Sequence, residues 1–287
     1  MKKNYLLIGS LVFLTALIVG CSNSNDKSKD STDKSSSETS LTSSKESSES
    51  ETKQSTAKSG STIEGSSQTS ETSAQANEAT PEDQANSILN SLTKLFPADA
   101  LPSEILTAST PNYVSAATTP SEDQANYRIL YYAENHPIGL NSKELNELKP
   151  IASFEKITFG TNEEAKAAVD KLSDSGGNPV DLGFGLTGYM QGAAGSSYLT
   201  WAEGNWNLTV KASNIEGEDP VSLAKEVVNY LEKNALPAPD TDGKISLEVG
   251  ENGDYQTNSV IWQKQNVVYK IYHFNALRAI QMAVSAR

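Results

Sequence analysis

The sequence predicts an α+β protein: an antiparallel sheet built from strand-strand-helix units with helices packed on one face, preceded by an N-terminal helix. Three observations carry that prediction. Strand-like runs rich in aromatic and branched residues come in pairs, short turn signals separate the members of a pair, and an amphipathic stretch with capping residues follows each pair.

The N-terminal helix begins at Thr80-Pro81-Glu82-Asp83, a capping hydroxyl followed by proline at the first helical position and acids over the first turn. Ile88, Leu89, Leu92, Leu95 and Phe96 recur on one face, and Pro97 closes the helix. Residues 97–120 carry scattered Pro and Thr and read as irregular. Glu82-Asp83-Gln84-Ala85-Asn86 returns as Glu122-Asp123-Gln124-Ala125-Asn126, an echo too short for a structural repeat.

The first unit has strands at Tyr127–Tyr132 and Ser153–Phe159. A capping box at Thr161 and Glu164 then opens a helix whose buried stripe is Ala165, Ala168, Val169 and Leu172, ending at Gly176-Gly177. The second unit, Tyr198 to Val210, reads as a hairpin about Gly204-Asn205. With those two residues as the loop, Glu203 opposes Trp206, Trp201 opposes Leu208, and Leu199 opposes Val210, which puts both indoles on the apolar face. A helix follows from Asp219-Pro220, with Leu223, Val227, Val228 and Leu231 inside and Pro237 as its stop. The third unit starts at Val260, after an extra strand Lys244–Val249, and its helix runs from Asn275 to Ala286. Trp262 and Asn266 each lie 61 residues beyond Trp201 and Asn205.

Charge and apolar content divide the 287 residues unevenly, although the net charge is −13 overall. Residues 81–287 carry −11 of it, which repels phosphate backbones and excludes nucleic acid as a natural partner. Between Ser22 and Thr80, 29 of 59 residues are Ser or Thr, with no aromatic residue and no proline. Such a segment cannot bury enough apolar surface to offset an ordering entropy of about 1–2 kcal/mol per residue, so residues 21–80 are expected to be a disordered tether. A single cysteine, Cys21, excludes an intrachain disulfide and any multi-cysteine metal site.

Residues 1–20 combine a basic start, Lys2-Lys3, with an apolar run from Tyr5 to Val19 that is short for a spanning helix of ~20 residues. Leu17-Ile18-Val19-Gly20-Cys21 resembles the lipobox of bacterial lipoproteins. The resemblance implies a signal peptide over 1–20, diacylglyceryl transfer to the Cys21 thiol, and cleavage between Gly20 and Cys21. It also implies a chain held on the extracytoplasmic face of the cell membrane, where two acyl chains give stable anchoring. The overall pattern looks like the small lipoproteins of Gram-positive bacteria, with 81–287 as the globular domain.

The remaining motifs are weak. Gly183-Phe184-Gly185-Leu186-Thr187-Gly188 matches a dinucleotide fingerprint but has no helix-forming sequence after it, since Gly192 and Gly195 follow. It reads as a flexible loop, and Gly185, Gly188 and Tyr189 are its ligand candidates because bare backbone admits close approach. Asp240-Thr241-Asp242-Gly243 resembles part of a calcium loop, yet with Gly243 at loop position 6 Ala238 and Val249 fall where acids are needed. Trp201, Glu203 and Trp206 suggest a sugar-stacking platform, against which strand parity assigns both indoles to the core. His136 and His273 stand alone. No spacing nominates a catalytic set, a metal site or a cofactor. The expectation is a membrane-anchored binding or interaction module at the cell envelope, its partner a wall polymer or envelope protein, with a cell-envelope hydrolase as the alternative.

Overall fold

The structure is a computed structural model that describes residues 79–105, 113–119, 123–170, 176–250 and 253–286. Cys21, the signal peptide and residues 21–78 of the tether lie outside the described residues, as does Leu172.

Helix α1 (Pro81–Leu95) starts from a complete capping box: Asp83 N–H donates to Thr80 Oγ1, and Thr80 N–H donates to the Asp83 carboxylate. Its stripe, Ile88 and Leu92, continues into Phe96 and is fully buried. Ten strands follow: β1 (Tyr113–Thr119), β2 (Tyr127–Glu134), β3 (Ala152–Thr158), β4 (Asn178–Gly183), β5 (Leu186–Ala193), β6 (Ser196–Glu203), β7 (Trp206–Ser213), β8 (Gly243–Glu248), β9 (Asn258–Lys264) and β10 (Val267–His273). Helix α2 (Asn162–Val169) follows β3, α3 (Pro220–Leu231) follows β7, and α4 (Ala276–Ser285) follows β10.

All ten strands form one sheet in the order β1-β2-β3-β10-β9-β8-β7-β6-β5-β4. Three meanders are visible in that order: β1–β3, β4–β7 and β8–β10. The meander made last in sequence lies between the other two, joined by antiparallel β10–β3 pairing on one side and parallel β7–β8 pairing on the other. The sheet is therefore mixed rather than purely antiparallel. The parallel pair arises because α3 carries the chain over one face and returns it beside β7 in the same direction.

Helices cover both faces, which corrects the expectation of a single covered face. One face carries Ile129, Phe154, Leu208, Val260 and Ile271 against α1, α3 and α4. On the other face, Ala165 and Val169 of α2 pack on Val268. Val268 and Ile271 are three apart on β10, and strand alternation sends them to opposite sides. The α2 connection has to travel from the middle of the sheet to the far edge at β4, and it leaves from the side that α3 and α4 do not fill.

The glycine-rich stretch 183–188 is not a loop but the centre of the β4–β5 hairpin. Phe184 and Gly185 form its two-residue turn, both at positive φ (53° and 81°), the combination that matches strand twist. Gly188 is bare because a Cβ there would meet Leu199 and Leu182 side-chain carbons at 2.8 and 3.0 Å. Glycine content concealed two strands. The hairpin about Gly204-Asn205 has the register read from the sequence, Glu203 opposite Trp206 and Trp201 opposite Leu208.

Both sheet edges carry a feature that hinders a further strand. Beside β1, Asn141 N–H donates to the Ala116 carbonyl and Asn141 Oδ1 accepts from Thr118 N–H. At β4, a bulge between Asp181 and Gly183 interrupts the regular ladder, and Pro179 lacks the N–H that a new strand would use.

Gly243 at the start of β8 lies beneath the Trp206 indole: a Cβ would come within 2.4 Å of it. Gly243→Ala is expected to destabilise the protein by about 1–3 kcal/mol in urea titration, the usual cost of overpacking.

Candidate functional site

At the end of the sheet where β2 begins and β6 turns into β7, flat side chains line up across the strands. Trp206 on β7 reaches over Gly243 to Trp262 on β9, with ring centres 6.5 Å apart. Trp262 stacks on Tyr269 of β10 at 5.3 Å. Tyr269, Phe154 on β3 and Tyr127 on β2 continue the row at 6.0 and 6.2 Å. Tyr127 stacks at 3.8 Å on Phe96, just beyond α1. The row thus crosses all three meanders, and every contact lies in the range where aromatic pairs or close stacks attract.

A polar knot sits on the tyrosine end. Asp99, in the chain after α1, is nearly inaccessible, with its side chain 3% exposed, and takes both oxygens to Lys156 Nζ at 2.8 and 2.9 Å. The Tyr127 and Tyr269 hydroxyls donate to the same carboxylate at 3.0 and 3.3 Å. Burial, then the Asp99 charge, pushes the Tyr269 hydroxyl up to about 12 and the Tyr127 hydroxyl further in the same direction. Both phenols therefore stay protonated as donors at neutral pH. Nothing in the sequence marked Asp99, because its partners lie on three strands remote in the chain.

Two cavities flank the Leu236–Pro239 segment that leads from α3 to β8. One, about 410 Å³, is bounded by Trp262, Tyr269, Lys264 and Ala98. The other, about 450 Å³, opens between the β6–β7 turn and the end of α3. Trp206, Leu208, Leu231 and Leu236 give it apolar walls, while Glu203, Asn205 and Asn234 supply the polar groups. The segment between them is held by Asn205 Nδ2 donating to the Pro239 carbonyl and by Asp240 N–H donating to the Gln263 carbonyl.

Glu203 is the chemical centre of the larger cavity. It directly faces Trp206 across the turn, and one of its oxygens accepts from Trp201 Nε1 at 2.8 Å. Burial raises its carboxyl above the ordinary value, the Trp201 hydrogen bond lowers it in part, and the nearby Glu232 raises it again. The two indoles thus have different parts. Trp201 is core and orients the carboxylate, whereas Trp206, 7% exposed, lines the cavity.

The other residues singled out in the sequence do not converge here. Gly185 occupies an exposed turn, Gly188 packs in the core, and Tyr189 pairs with Thr200 on the opposite face. Asp240 accepts from Gln265 N–H and Asp242 faces Lys166, so both brace the start of β8. His136 pairs with Glu144 on the surface, and His273 is buried with Nδ1 accepting from Asn275 N–H. Among the described residues, no cluster of three or more His, Cys, Asp and Glu is placed to hold a metal.

Removing Asp99 strands Lys156, whose side chain is only 13% exposed. Asp99→Ala should cost about 3–5 kcal/mol, and adding Lys156→Met should recover part of it, measured by chemical denaturation. For Glu203 the neutral form is favoured on folding. Its contribution is therefore full below the ordinary value of 4.5 and is lost as pH rises through the raised value. Glu203→Gln should raise Tm at pH 7 and leave it unchanged at pH 4. Comparison of the chain with protein-family models, curated proteins and solved structures finds no match, so the functional reading stands on the site's own geometry.

Proposed function

We propose that the protein is a lipid-anchored binding module of the cell envelope, and that it takes a small ligand, or a protruding group of a larger one, into the cavity between Trp206 and Leu236. The observation that carries this reading is a cavity of about 450 Å³ with mostly apolar walls, one carboxylate and an indole. That composition suits retention rather than turnover. Glycoside hydrolysis needs two carboxyl groups about 5–9.5 Å apart across the scissile bond. Among the described residues, Glu203 is the only acid lining this cavity, and no serine, cysteine, lysine or histidine lines it. The hydrolase alternative therefore lacks a partner group at this site.

The anchoring half rests on the lipobox at Cys21 and the Ser/Thr-rich stretch after it. No helix among the described residues is long and apolar enough to cross a membrane. A lipid-held domain on a chain of 59 residues, with an r.m.s. span of ~40–45 Å, could sample a shell of the envelope well beyond the bilayer surface.

Native mass spectrometry of the full chain purified from envelope material provides the test. A bound small molecule is expected on the wild type and absent from Leu236→Trp, which fills the cavity. An identical adduct on both, or none on the wild type, overturns the binding reading. In parallel, Cys21→Ser should leave the membrane fraction, and its retention there removes the anchor.

A further inference from the structure

We propose that the Glu203–Trp206 cavity is a site for an organic cation, a small ammonium carrying alkyl groups; this rests on the binding reading above and names its ligand. Three features of the cavity select that class. Glu203 and Trp206 form a directly opposed pair on one face of the hairpin, so carboxylate and indole meet at one wall within about 5 Å at their Cβ atoms. Trp201 occupies one oxygen, Oε1, and the other has no protein partner among the described residues. An ammonium placed there gains a charged partner, with an indole and alkyl side chains lining the same cavity to receive its alkyl groups.

The remaining walls reinforce the choice. Leu208, Leu231, Leu236 and Pro239 offer alkyl contact, and among the described residues no lysine, arginine or histidine lines the cavity to compete with or repel a cation. Glu232, at the end of α3, adds negative potential. An anionic ligand would meet the Glu203 carboxylate, with Glu232 nearby and no counter-charge among the described lining residues. Each asparagine amide already spends one of its two N–H donors on the protein, Asn205 Nδ2 on the Pro239 carbonyl and Asn234 Nδ2 on the Tyr230 carbonyl, which leaves few donors for a sugar's hydroxyls. An alkylammonium asks for neither.

Calorimetry on the full chain, with choline chloride and its neutral isostere 3,3-dimethylbutan-1-ol at matched ionic strength, tests the proposal. Choline is expected to bind at least about tenfold more tightly than the alcohol, the scale of one charge-assisted contact. Glu203→Gln should weaken choline by a similar factor while leaving the alcohol unchanged, and Trp206→Leu should weaken both. Equal binding of the two probes overturns the cation assignment and leaves the cavity reading intact. Binding of neither, together with no adduct on the purified chain, removes both. Choline binding that Glu203→Gln does not alter places the cation elsewhere and also overturns the proposal.

Discussion

The row of rings from Trp206 to Phe96 is the constraint around which the rest of the domain is arranged. Flat side chains can run across a sheet only if each intervening strand gives way, and Gly243 on β8 does so by having no side chain at all. The row ties β7 to β9 over that gap, then passes through β10, β3 and β2 to the chain leaving α1. Three meanders that are separate in sequence thereby share one packed layer. At its tyrosine end the row presents two hydroxyls, which makes a buried Asp99–Lys156 pair tolerable. At its tryptophan end it places an indole beside a carboxylate. Stability and the candidate site are two ends of the same construction.

Local features of the fold were legible from the sequence. The caps at Thr80, Thr161, Asp219 and Asn275 hold the helix starts because their signals are contained within four residues. The register of the β6–β7 hairpin followed from Gly204-Asn205 alone, since a two-residue loop leaves no freedom in pairing. The β4–β5 hairpin was hidden for a physical reason. Its glycines satisfy a turn and a tight approach to Leu182 and Leu199, and both needs look from sequence like flexibility.

What depends on strand order was not legible. The face chosen by α2 and the single parallel pair follow from where β4 and β8 enter the sheet, and no local pattern encodes that. The site was half visible for the same reason. Trp201, Glu203 and Trp206 lie in one hairpin and could be placed by parity, but the opposite wall of the cavity comes from the α3–β8 connection, whose Leu236 and Pro239 look like ordinary linker residues. Asp99 was invisible because it meets Lys156 57 residues away and Tyr269 170 residues away. A buried charge is recognised only once its partners are known.

The central position of the last meander has a consequence for how the protein is made. A nascent chain growing at about 5–20 residues per second finishes β7 at Ser213 several seconds before β10 is complete at His273. Throughout that interval β3 and β7 hold bare edges that belong to strands not yet synthesised. The sheet can therefore close only when the last meander has been made.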